Sequence, residues 1–160
     1  LFLRVELAGV SYLVDVGFCG IAPTCALRLD TSEDQATAHE THRILRVGER
    51  FLHQVHLEGG YQDLYEFTGE EMPEIDREVG NWYTSTHPAS LFRQRLIAAR
   101  ALPDGGRRTL QNRELTERSR SGSPSTRLLG SHEELLEVLA AGFGLHFPSD
   151  TRFDCPGLDF

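Results

Sequence analysis

A carboxylate between two valines, Asp15 in the stretch YLVDVGFCG over residues 12–20, is the residue of this chain most in need of a chemical explanation. A buried acid costs several kcal/mol unless something pairs with it, so it either faces solvent or is held for chemistry. Its apolar run stops at once on Gly17 and Gly20, small residues that let a ligand approach the backbone. An aspartate in that place suits the third member of a nucleophilic triad. There a thiolate attacks, a histidine takes the proton, and a carboxylate orients the imidazole through its other nitrogen. By itself the position fits a solvent-facing Asp at the edge of a turn equally well.

The other residues capable of chemistry read as bland. His39 and His42, in HETH, have a spacing that could hold a metal, but no third ligand follows nearby and the segment reads as polar loop, so no metal site is expected. His53 and His56 fall on opposite faces of a strand and read as surface histidines. Cys19, Cys25 and Cys155 form no C-x-x-C, which suggests neither a disulfide framework nor a zinc site and makes a reducing, cytoplasmic setting the default. The run RSRSGSPSTR, residues 118–127, is similar to arginine–serine segments of RNA-binding proteins. Glu114 and Glu117 dilute its charge, and it reads as a flexible loop between two strands.

The elements that must position Asp15 are mostly strands. LFLRVEL alternates apolar and charged residues, turns at Ala8-Gly9 and continues into YLVDV, which predicts a hairpin with Asp15 near the end of its second strand. On that hairpin the carboxylate is expected at a cleft edge, aimed toward the start of the chain. RILRV and FLHQVHL repeat the pattern around Gly48-Glu49, and YQDLYEF follows Gly59-Gly60. EIDREVGNWYTSTHPASLF suits a helix stopped before Pro88. A second hairpin is predicted around Pro103-Asp104-Gly105-Gly106. SHEELLEVLAAGFG has capping-box spacing from Ser131 to Glu134 and ends on glycine, a helix from start to stop. The fold class expected is α+β. An antiparallel β-barrel-like region (1–75) comes first, then a linking helix and loop (76–92), then a small α+β lid (93–160). The 160 residues with 39% apolar content support a real core, and the net charge of −8 argues against nucleic acid or an anionic membrane as partner. No apolar run approaches the ~20 residues of a membrane span, and no leader is visible at Leu1.

The neighbourhood of Asp15 then narrows the chemistry. YLVDVGFCG closely resembles the Val-Asp-Val-Gly-Phe-Gly-Gly signature of arylamine N-acetyltransferases. PTCALRL at 23–29 resembles that family's Pro-x-x-Pro-Leu-x-Leu run, and LYEF at 64–67, NWYTSTHPASLF at 81–92 and FGLHFP at 143–148 are similar to its later landmarks. The resemblance implies a Cys-His-Asp triad with Asp15 as its third member. It implies acetyl-CoA as co-substrate, and a small arylamine, arylhydroxylamine or hydrazine as acceptor, with no metal. It also implies an aryl pocket walled by Phe18 and Phe92, with Tyr83 and Ser90 toward CoA; strand alternation from Asp15 adds Cys19 at the same opening. Three departures stand out. The family's Arg-Gly-Gly-Tyr-Cys motif has no counterpart in these residues, and its Thr-His pair is expected at or just before Leu1. Cys19 stands where the family has glycine and is expected to narrow the cleft. The chain is therefore expected to be the carboxyl-terminal part of such an enzyme, without its amino-terminal helical domain and inactive alone. Two other readings remain: an amide synthase of antibiotic assembly with the same triad, and a non-catalytic binding module.

Overall fold

The computed structural model describes residues 2–18, 20–120 and 122–160, so Cys19 lies outside the described residues. The chain divides into two compact units, residues 1–71 with 103–105, and residues 72–102 with 106–160.

In the first unit β1 (Leu3–Leu7) and β2 (Val10–Val14) form the hairpin, with Leu3 opposite Val14 and Leu7 opposite Val10. The turn places Ala8 at φ 51° and Gly9 at φ 79°, two left-handed residues whose twist matches that of the flanking strands. β3 (Leu27–Arg28) pairs with the other edge of β2. A second sheet runs β4 (Gln35–Ala36), β5 (Thr41–Val47), β6 (Arg50–Leu57), β7 (Gly60–Thr68), in that order. Strand alternation buries His42 and Ile44 on β5 and His53 and Val55 on β6, while the residues between them face outward. The two sheets share one core, in which Leu13, Leu27 and Ile44 are buried against Phe2, Leu29, Phe51 and Phe67. The barrel-like arrangement stays unconfirmed: among the described residues no ladder joins the two sheets, which remain open antiparallel sheets of three and four strands.

The second unit opens with α1 (Glu74–Thr86), whose first turn carries Glu74 and Asp76 against the positive end of the helix. It ends at His87, extended as a residue before proline must be. α2 (Leu91–Gln94) is a single turn. β8 (Ile97–Ala101), β9 (Arg107–Gln111), β10 (Glu114–Arg118) and β11 (Ser125–Leu128) form an antiparallel meander. The end of the arginine–serine run is thus strand rather than loop, with Thr126 Oγ1 2.9 Å from Thr116 Oγ1 across the β10–β11 ladder. α3 (His132–Val138) is capped as its spacing predicts: Ser131 Oγ accepts from Glu134 N at 3.2 Å, and Glu134 Oε2 accepts from Gly130 N at 2.6 Å. Its last turn widens into a π-turn (Leu139–Phe143) that stops at Gly144, φ 74°. The carbonyl of Gly142, past the last helical donor, accepts from Arg108 Nη1 at 2.9 Å. Leu135 and Leu139 pack on Leu110 and Leu115 of the meander, with Leu129 and Leu158 completing the core. Among the described residues no helix is long and apolar enough to cross a membrane.

Candidate active site

Asp15 follows directly on β2, two residues beyond Leu13, and the alternation that buries Leu13 buries the carboxylate as well, at 6% exposure. Its two oxygens have separate partners. Oδ1 accepts from the backbone N–H groups of Gly17 at 2.9 Å and Phe18 at 3.1 Å, a local turn that explains why the strand breaks immediately after the acid. Oδ2 accepts from the hydroxyl of Tyr65 on β7 at 2.6 Å. The register that sets Leu3 opposite Val14 carries Asp15 beside the start of β1, where Phe2 lies.

Tyr65 is surrounded by rings. Phe2 stacks on it at 5.9 Å, Phe18 lies at 5.1 Å, Phe67 at 6.0 Å, and His53 meets it at 5.0 Å nearly perpendicular, at 80°. Burial, and then the bond to Asp15, push the phenol far above its ordinary pKa, so it stays protonated and donates.

Behind Tyr65 lies a pair that corrects two expectations. His53 is not a surface histidine: it is fully buried, and only His56 of the two is exposed. His42 is not in a polar loop but on β5, equally buried, with its Nδ1 3.0 Å from Nε2 of His53. Burial, with the neighbouring His42 adding to it and Asp15 opposing it, lowers the His53 pKa to about 4, so the ring is neutral at neutral pH. Tyr65 has no role in the sequence reading, which names His42 and His53 only separately, as a loop and a surface residue. The available signal for His53 is its place on the face shared with Phe51 and Val55.

Of the other residues singled out, Phe18 lies beside this cluster, exposed at 37% with its ring 5.1 Å from that of Tyr65. Tyr83, Ser90 and Phe92 belong to the second unit. Phe92 is exposed on α2. Tyr83 stacks on His87 at 4.7 Å and 18°. Ser90 is buried, and its hydroxyl donates to the carbonyl of Thr84 at 2.8 Å, leaving only a lone pair for a ligand. Cys25 and Cys155 are free thiols. Among the described residues no three His, Cys, Asp or Glu side chains gather as metal ligands, and His39 Nδ1 instead lies 3.1 Å from Thr24 Oγ1.

A carboxylate fixed by two backbone donors and a phenol can orient an imidazole. The family described as N-acetyltransferase matches residues 1–152. The arylamine N-acetyltransferase of Mycobacterium tuberculosis is 40% identical over 139 residues, covering 87% of this chain and 48% of that protein. That of Escherichia coli is 34% identical over 143 residues, covering 89% and 51%. Among solved structures, the Salmonella typhimurium arylamine N-acetyltransferase superposes with a TM-score of 0.83 at 30% identity, over 90% of this chain and 53% of that one. The Mycobacterium marinum arylamine N-acetyltransferase in complex with CoA gives 0.82 at 38% identity, over 89% and 53%. The chain thus spans about half the length of the relatives it matches. With the signature around Asp15, the family match along nearly all its length and the shared α+β fold, this chain belongs to the arylamine N-acetyltransferase family.

Proposed function

We propose that Asp15 is the carboxylate of a Cys-His-Asp triad that moves an acetyl group from acetyl-CoA to the nitrogen of an arylamine, arylhydroxylamine or hydrazine. In this reading the thiol and the imidazole come from outside these 160 residues, and the chain alone transfers nothing. A thiolate attacks the acetyl carbonyl and CoA leaves as its thiol, taking one proton. The amine nitrogen then attacks the resulting thioester, the enzyme sulfur leaves, and the nitrogen loses a proton to give the amide. Asp15 holds the imidazole that carries these protons and stabilises its charged form.

The observation that carries this reading is the anchoring of Asp15. A carboxylate offers about four acceptor directions. Gly17 N, Phe18 N and the Tyr65 hydroxyl use three of them, a geometry that fits one further donor such as an imidazole N–H. The ring of Phe18, next to the acid, suits a flat acceptor; Phe92 is assigned to the acceptor on the family resemblance alone, and Cys19 on strand alternation from Asp15. Tyr83, with its exposed ring, and Ser90 are assigned to the CoA side on the family resemblance. Inside a cell the substrates named are small soluble molecules, which fits a cytoplasmic enzyme.

The test is CoA release from acetyl-CoA in the presence of an aniline or a hydrazide, with the amide product identified by mass. The full-length protein is expected to turn over and the 160-residue chain to give no product. No acetyl transfer by the full-length protein would refute the reading.

A further inference from the structure

The buried histidine pair behind Tyr65 has no part in the chemistry above, and it occupies core positions that leucine would fill. Replacing both partners of a buried polar pair by apolar groups of like shape is commonly near neutral or favourable for stability. Core packing therefore gives no reason for His42 and His53, whose ring nitrogens face each other at 3.0 Å.

Their location supplies one. The β6–β7 ladder has a bulge immediately after His53: His53 stands opposite Tyr65, but Gln54 stands opposite Asp63, so Leu64 is the extra residue. A bulge bends its strand and re-aims the side chains beside it. Here the side chain beside it is Tyr65, and its hydroxyl reaches Asp15. His53 is the direct cross-strand partner of that tyrosine and meets its ring at 5.0 Å and 80°, while the bond to His42 fixes the plane of the His53 ring. Burial keeps the His53 ring neutral, so it adds no cation that would compete for the charge of Asp15.

We propose that His53, oriented by His42, is a positioning residue that sets the Tyr65 hydroxyl against Asp15 and thereby fixes the direction left open for the imidazole; this rests on the reading of Asp15 as the triad carboxylate. Phe2, Phe18 and Phe67 also line the Tyr65 ring, but of these neighbours His53 is the one that stands directly opposite it across the ladder and is itself held by a hydrogen bond.

The experiment uses the double variant His42→Leu/His53→Leu, in which the core stays filled. In the 160-residue chain the hydroxyl proton of Tyr65 is followed by proton NMR, with Tyr65→Phe assigning the signal. The variant is expected to keep its Tm within a few degrees while that resonance moves upfield and exchanges faster. In the full-length protein kcat is expected to fall about tenfold with KM for the amine unchanged, as misplacement of a catalytic group commonly does. A second variant, His53→Gln, retains a partner for His42 and is expected to restore kcat to within about threefold of the parent. It serves as the test if the double variant does not fold, when a loss as large as that of His53→Leu alone would count against the proposal. An unchanged Tyr65 resonance overturns it, as does an unchanged kcat in an active full-length protein. If the parent protein transfers no acetyl group, the reading of Asp15 fails separately, and the resonance alone decides whether the pair positions Tyr65.

Discussion

The hydroxyl of Tyr65 donates to Oδ2 of Asp15 at 2.6 Å, joining the end of one sheet's hairpin to the last strand of the other across 50 residues of sequence. Tyr65→Phe removes that donor from a nearly dry site. Leaving a buried acceptor short of a partner costs about 1–3 kcal/mol. The free energy of urea unfolding is expected to fall by that amount, with the shape of the ring cluster retained. A variant as stable as the parent would mean that the bond contributes nothing to the fold.

The low pKa of His53 makes the first unit sensitive to acid. Its ring titrates near 4 in the folded chain and near 6.5 in the unfolded one, so the unfolded state binds the extra proton. The sign follows: stability is full above about pH 6.5 and is lost as pH falls from there toward 4, by roughly 2–3 kcal/mol. Asp15, His42 and Tyr65 are the titratable groups around this ring, so the parent is to be compared with His53→Leu. The unfolding free energy of His53→Leu minus that of the parent is expected to rise as pH falls through that window. A pH-independent difference would place the His53 pKa at its ordinary value.

Ala8 sits at φ 51° in the hairpin turn, a conformation that costs a residue with a Cβ about 1 kcal/mol. Ala8→Asn gives the Asn-Gly pair that such a turn favours and is expected to stabilise the chain by roughly 0.5–1 kcal/mol, read as a higher thermal midpoint. A lower midpoint would contradict the turn geometry.

Ser131 caps α3 through its hydroxyl. Ser131→Ala is expected to destabilise the chain by about 1 kcal/mol, and Ser131→Gly by only a few tenths. Equal losses for the two substitutions would show that the hydroxyl is not the capping group.

What the sequence discloses and what it hides divide along the range of the interaction. The hairpins at Ala8-Gly9 and around residues 103–106 and the cap at Ser131 are local, set by a few residues whose dihedrals and hydrogen bonds do not depend on the rest of the chain. Asp15 is legible because its turn is local as well: its own strand, Gly17 and Phe18 provide the reason for the motif. Tyr65 is not, since nothing near it in sequence says that its hydroxyl will meet an acid 50 residues away. His53 is a case of a signal left unused. Phe51, His53 and Val55 share one face of β6, and an apolar face carries its polar member inward. The barrel-like arrangement stays unconfirmed for the same reason of range, because whether two sheets join at their edges depends on long-range pairing that alternation within each strand does not encode.

The central claim, that Asp15 serves the chemistry and not only the fold, is tested most directly by kcat/KM for acetyl transfer to an arylamine in the full-length protein with Asp15→Asn. The substitution keeps an oxygen for the Gly17 and Phe18 donors, presents an amide NH2 from which the Tyr65 hydroxyl can accept, and removes the charge that stabilises an imidazolium. A fall on the order of a thousandfold, with the protein still folded at the assay temperature, is the result predicted. A folded variant within a few-fold of the parent would contradict it.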